Sequence, residues 1–200
     1  MKLLGSLTSP FVRQVRVVLI EKGLDSQVLL DETNPFSDPA ALLAANPLGK
    51  VPALVDTPIG TVHDSRLICE YLDALHPEPA LLPGNSAARW EALQQWMTAI
   101  GVMDAAAAHV MESRRDDGMV SPAWQQRRER AMQRGSDALA QAVADDPRRF
   151  HLGDIGTAVA LAYLDFRHPQ IDWRARHPAL AQWLDVVSER PAMHLTQPPQ

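Results

Sequence analysis

Three short stretches hold residues whose types and spacing could do chemistry. In "SLTSPFVRQV", residues 6–15, Thr8 and Ser9 put two hydroxyls before Pro10 and the run "VRVVLIEKG", which can be helical. A serine just before a first-turn proline can accept from a free main-chain N–H, and the same oriented N–H groups favour an anion. Ser9 therefore reads as a helix cap, as a group that works on an anion, or as both. In "NPLGKVPALVD", residues 46–56, Pro52 cannot donate a ladder bond and belongs to an edge or a turn. With a cis Val51–Pro52 bond the Val51 main chain would turn outward and pair with an extended peptide; with a trans bond the proline simply ends a loop. In "GTVHDSRLICEYL", residues 60–72, Asp64 and Ser65 stand at a helix start. They serve there as plain N-caps, or they hold an amino acid head group, with Ser65 and main-chain N–H groups on the α-carboxylate and the Asp64 carboxylate on the ammonium.

Composition narrows what those residues can be part of. The chain has 200 residues, 46% of them hydrophobic and 22% charged, enough to bury one core or two small ones. Its net charge is −5, with 6 basic and 10 acidic residues up to Ala80 and 13 and 14 beyond it. Neither half is basic, so nucleic acid is not an expected partner. The apolar opening is too short for a signal peptide, and the longer apolar runs are interrupted or flanked by Asp104, Asp154 and Asp165, so no membrane span is expected and the protein is read as cytoplasmic. Cys69 is the one cysteine, which excludes an internal disulfide or a multi-cysteine metal site, and its mid-helix position reads as packing. The seven histidines form no HxxxH pair, so no metal is expected.

The elements that must position these stretches change character once along the chain. Up to about residue 75, strand-like pieces ("KLLG", "SQVLL", "PALV", "GTVH") alternate with helix-like ones over 10–23, 38–45 and 65–76. The segment "HPEPALLPGNS" then breaks the pattern, since Pro77, Pro79 and Pro83 cannot continue a helix. Beyond it the periodic segments are helical, over 86–116, 122–145, 152–167 and 178–189, before an extended tail, "HLTQPPQ". The expected organisation is an α/β domain over 1–76, a linker over 77–86 and a helical domain over 87–200.

The order of the three stretches, followed by a proline-rich linker and helices, resembles the cytosolic glutathione transferase superfamily over almost the whole chain. A further likeness is "FHLGDIGTAVALAYLDF", in which Leu152, Ile155, Val159, Ala162 and Phe166 form an apolar stripe suited to a buried central helix. The resemblance implies a thioredoxin-like N-terminal domain with a C-terminal helical bundle, binding glutathione as cosubstrate. It puts the cysteinyl backbone of glutathione on Val51 and Pro52, and the γ-glutamyl group on Asp64 and Ser65. Lys50 is then a partner for the glycyl carboxylate, or else a solvated surface lysine. Ser9 and Phe11 belong to the same site, and Asp104 would reach the γ-glutamyl ammonium across a homodimer or else pair internally with an arginine such as Arg167. Arg13 and Arg16 are expected to pair between the domains.

Two departures from the pattern stand out. His151 occupies the place of the usual Ser or Thr three residues before Asp154, so half of the reciprocal helix cap is expected to be lost, at ~1 kcal/mol. Many members carry a cysteine or a tyrosine near position 9, whereas this chain offers Thr8 and Ser9, which is closest to serine-type bacterial transferases. A hydroxyl at a helix N-terminus that lowered a thiol pKa from ~8.5 to ~6.5 would raise the thiolate fraction about tenfold near pH ~7.4. The Brønsted slope of ~0.4 to 0.5 takes most of that back. The rest of any acceleration must come from orienting a small hydrophobic electrophile, with Phe11, Met103, Ala107, His109 and Met111 as expected pocket walls between the domains. Two functions follow: conjugation of glutathione to such an electrophile, or glutathione-dependent peroxide reduction; and, alternatively, a glutathione-binding regulatory protein with little or no turnover.

Overall fold

A computed structural model describes residues 1–76, 78–116, 118–143 and 150–199. The expected stop at Pro77 and the last residues of the expected 122–145 helix lie outside that set. The described residues fall into two compact units: Met1–Leu81 together with the segment from Glu189 onward, and Leu82–Ser188.

The first unit is a four-stranded mixed sheet with helices, a thioredoxin-like arrangement. Its elements are β1 (Lys2–Gly5), α1 (Pro10–Glu21), β2 (Leu29–Glu32), α2 (Ala40–Ala45), β3 (Ala53–Thr57), β4 (Gly60–His63) and α3 (Ser65–Leu75), with the short α9 (Pro191–Leu195) added from the C-terminus. The strand order is β2-β1-β3-β4, with β2 parallel to β1 and the other two pairings antiparallel. The expected strand "SQVLL" divides: a single helical turn takes Asp25–Gln27 and β2 begins only at Leu29. Helix α1 stops where a left-handed Gly23, φ 65°, lets its N–H reach Ile20 O while Leu24 N–H reaches Leu19 O. Leu19 and Leu24 are both buried, the apolar contact that accompanies this termination.

Arg13 and Arg16 reach the C-terminal segment, which the expected bounds place in the helical domain and which groups here with the first unit. Arg13 donates to Met193 O at 3.2 Å and Thr196 Oγ1 at 3.4 Å, and Arg16 donates to Leu195 O at 3.1 Å, all within the first unit. Met193 O and Leu195 O belong to the last turn of α9 and Thr196 is its C-cap, a helix end where a cation is favoured. Burial lowers the Arg13 pKa to about 10, so it remains a cation at neutral pH. The tail is therefore not simply extended: α9 forms, and Met193 and Thr196 are buried.

The second unit comprises α4 (Ala87–Glu112), α5 (Pro122–Ala142), α6 (Leu152–Arg167), α7 (Trp173–Arg176) and α8 (Pro178–Ser188). Helix α6 is buried around nearly its whole circumference, including Thr157, Ala158 and Leu161, and not along one stripe; it opens only toward its end, at Ala162, Asp165, Phe166 and Arg167. Close approach to α4 explains Gly156: an added Cβ would lie 2.7 Å from Trp96 Cδ1. The helix cap also differs from expectation. His151 Nδ1 accepts from Asp154 N at 3.1 Å, and Asp154 Oδ2 accepts from His151 N at 3.2 Å. The imidazole supplies an acceptor lone pair in place of a hydroxyl, so the reciprocal capping box is complete.

Candidate functional site

Strand register gathers three of the sequence stretches. Leu4 of β1 lies opposite Ala53 of β3, and Ala53 lies opposite His63 of β4. The chain leaving β1, the chain entering β3 and the chain leaving β4 therefore meet at one end of the sheet. Thr8 and Ser9, the run Lys50, Val51 and Pro52, and Asp64 with Ser65 all sit within a few residues of those three points.

Ser9 is the N-cap of α1, its Oγ accepting from Val12 N at 3.4 Å, with Pro10 in the first turn. That contact uses a lone pair and leaves the hydroxyl proton available to an acceptor. Thr8 Oγ1 lies 3.3 Å from Ser6 Oγ, so it shares a hydrogen bond inside its own loop. Both are partly exposed, as is Phe11.

The Val51–Pro52 peptide bond is cis. Pro52 is buried, Val51 is partly exposed, and Val51 lies outside the ladder that begins at Ala53. The loop before it is braced by Asn46, which sequence reasoning passed over. Asn46 is 3% exposed, donates to Lys50 O at 2.8 Å and accepts from Leu48 N at 3.0 Å. An Asn-Pro-x-Gly run is the available signal, since an asparagine side chain readily closes such a turn. The Lys50 side chain is exposed.

Asp64 and Ser65 head α3. Asp64 is its N-cap, with Oδ1 accepting from Arg66 N at 2.9 Å and the residue held at φ 71°. Arg66 also grips the carboxylate with Nε and Nη2, and this hydrogen bonding lowers the Asp64 pKa. Ser65 is buried, and its Oγ accepts from Gln14 Nε2 at 2.7 Å. Gln14 was missed as well; a glutamine four residues after Pro10 and four before Val18 is a polar group on an apolar helical face, and that was its signal.

Other expected positions lie in the second unit. Asp104 is exposed on α4. Met103 is fully buried and packs as core, not as an open wall. Ala107 is partly exposed and Met111 is 38% exposed, while His109 stacks edge-on against His168 and lies 3.4 Å from Glu129. Arg167 lies over the Phe166 ring. In the first unit Cys69 is fully buried, and burial pushes its thiol pKa well up, which suits packing and not redox chemistry. Among the described residues no group of three potential metal ligands occurs, and no helix is long and apolar enough to cross a membrane.

Comparison with known proteins shows which family the two parts of the chain resemble. Residues 3–80 match the glutathione S-transferase N-terminal domain family, and residues 122–185 match the glutathione S-transferase C-terminal domain family. An uncharacterised GST-like protein of Escherichia coli K12 is 31% identical over the whole of both chains. A glutathione transferase family member from Pseudomonas fluorescens Pf-5, solved with bound glutathione, is 38% identical with a TM-score of 0.94, over 100% of this chain and 99% of that one. A second structure of such a member from the same organism, with bound S-(propanoic acid)-glutathione, is 36% identical with a TM-score of 0.87, over 100% and 97%.

Proposed function

The chain belongs to the glutathione transferase family, and from that premise we propose that it joins the glutathione sulfur to a small hydrophobic electrophile, as a serine-type member. The observation that carries the reading is the shared sheet end, where the Ser9 hydroxyl, the Val51 main chain outside the ladder and the start of α3 are brought together by register.

In this reading residues 1–76 are the glutathione-binding domain. Val51 pairs with the cysteinyl main chain of glutathione, Ser65 donates to the γ-glutamyl carboxylate, Asp64 accepts from its ammonium and Lys50 faces the glycyl carboxylate. Ser9 gives its hydroxyl proton to the thiolate as a hydrogen bond, aided by the first-turn N–H groups of α1, with Thr8 as the substitute donor. The thiolate attacks the electrophilic carbon, the C–S bond forms as the leaving group departs, and the thiol proton passes to solvent. With a hydroperoxide, two glutathiones would give the disulfide, an alcohol and water. A conjugate seated in a similar structure supports substitution at sulfur.

The second reading is a glutathione-binding protein with little turnover, favoured by the absence of a cysteine or tyrosine beside Ser9. Both readings take the protein as a cytoplasmic homodimer, with Asp104 reaching the partner's ligand; light scattering at micromolar concentration should give about twice the 22.1 kDa chain mass. The functional experiment is turnover with glutathione against a panel of an aryl halide, an epoxide, an enal and an organic hydroperoxide. Enzymatic thioether formation with a carbon electrophile, or glutathione disulfide formation with the hydroperoxide, supports the first reading, and binding without turnover on any of them supports the second.

A further inference from the structure

We infer that Gln14 is a positioning residue that commits the Ser65 hydroxyl to donating, and thereby makes the head of α3 selective for a carboxylate. The inference rests on the proposed glutathione site. Gln14 is fully buried, Ser65 is 6% exposed, and the Gln14 Nε2 to Ser65 Oγ distance is 2.7 Å. A hydroxyl has one proton and two lone pairs. With one lone pair taken by an amide N–H, turning the hydroxyl proton toward Gln14 would set hydrogen against hydrogen, so the proton points away. Around it, the first turn of α3 offers further donors. Arg66 N–H is already spent on Asp64 Oδ1, and Ile68 N–H on Asp64 O, while the remaining first-turn N–H groups are the ones a helix start leaves without an intrahelical partner. The Ser65 proton is then directed away from Gln14, where it suits a carboxylate; one Oγ lone pair remains, so the preference for a carboxylate comes from the oriented proton together with the positive end of the helix. The Asp64 carboxylate, one residue earlier, is the acceptor. Gln14 thus fixes which end of a zwitterionic head group sits on which residue, although it touches no ligand itself.

The test measures calorimetric affinity for two probes, glutathione and its analogue with the γ-glutamyl α-carboxylate converted to a carboxamide. Proteins are the wild type, Gln14→Met, Ser65→Ala and the double variant; Gln14→Asn, whose shorter amide cannot span the bond, replaces Gln14→Met if the latter does not fold. Wild type should prefer glutathione by about tenfold or more, and Gln14→Met should shrink that preference about fivefold. On the Ser65→Ala background the Gln14 substitution should change neither affinity. A purely structural glutamine would weaken both probes equally and leave the preference unchanged, and that result overturns the inference, as does an equal loss on the Ser65→Ala background. Wild-type protein that binds no glutathione would overturn the site reading itself and this inference with it.

Discussion

Arg66 closes on Asp64 from two directions: Nε lies 2.8 Å from Oδ1 and Nη2 lies 2.7 Å from Oδ2, while the Arg66 main-chain N–H holds Oδ1 at 2.9 Å. Asp64 is at once the cap of α3 and the anionic half of a forked ion pair. Nearly half of each side chain remains open to water, so the pair adds little to stability. What it does is keep the carboxylate ionised and aimed. The residue's φ of 71° lies where side-chain-bearing residues are strained, and aspartate and asparagine tolerate it best.

Asp64→Asn keeps the cap and the tolerated backbone while removing the charge. Glutathione affinity should fall by ~1.5 kcal/mol, roughly tenfold, with unfolding free energy nearly unchanged. Asp64→Ala should lose the cap too, at ~1 kcal/mol of stability. Calorimetry and urea unfolding read the two effects separately, and equal affinity of wild type and Asp64→Asn would remove Asp64 from the site.

The pH dependence has a definite sign. The Arg66 hydrogen bond lowers the Asp64 pKa below the ordinary aspartate value of ~3.9, so its contribution is present above that value and is lost only as pH falls through the lowered one. The affinity ratio of wild type to Asp64→Asn should therefore stay constant from neutral pH down to about 4 and narrow below it. A ratio that has already collapsed at pH ~5 would contradict the assignment.

Ser9 as a cap and Ser9 as a thiol partner make separable contributions. Ser9→Ala should cost ~1 kcal/mol of stability, and Ser9→Gly less. If the hydroxyl also meets the thiolate, Ser9→Ala should raise the pKa of bound glutathione, read by ultraviolet thiolate absorbance, and lower turnover more than affinity. An unchanged pKa in Ser9→Ala with a raised one in Thr8→Ala would move that role to Thr8.

Arg13 holds α9 through carbonyl and hydroxyl oxygens, not through a carboxylate. Arg13→Met should destabilise the protein by ~2 kcal/mol in urea, and Arg13→Lys should recover little, because an ammonium cannot reproduce the two-nitrogen reach of the guanidinium. Stability equal to wild type in Arg13→Met would show that α9 docks by apolar contact alone.

Local signals in the chain were readable wherever the cause was local. Ser9 before Pro10, Asp64 before the apolar spacing of α3, and the alternation of strand and helix to residue 75 all act over a few residues, and each reappears in the structure. Long-range partners were not readable. Nothing near Arg13 in sequence points to Thr196, and nothing near Gln14 points to Ser65, because those contacts depend on how α1 packs against α9 and α3. His151 differs for another reason: a histidine is not the usual cap residue, yet an imidazole nitrogen accepts as a hydroxyl does.

The central claim is that glutathione seats at the sheet end where β1, β3 and β4 deliver Ser9, Val51 and Ser65. Its most direct test is a backbone amide NMR titration of the isotope-labelled full-length protein with glutathione. Saturable shifts should concentrate on Ser9, Phe11, Val51, Ser65 and Arg66 (Pro10 and Pro52 have no amide proton), and Ser65→Ala should weaken them together. Absence of saturable shifts, or shifts confined to residues away from these three segments, would contradict the account.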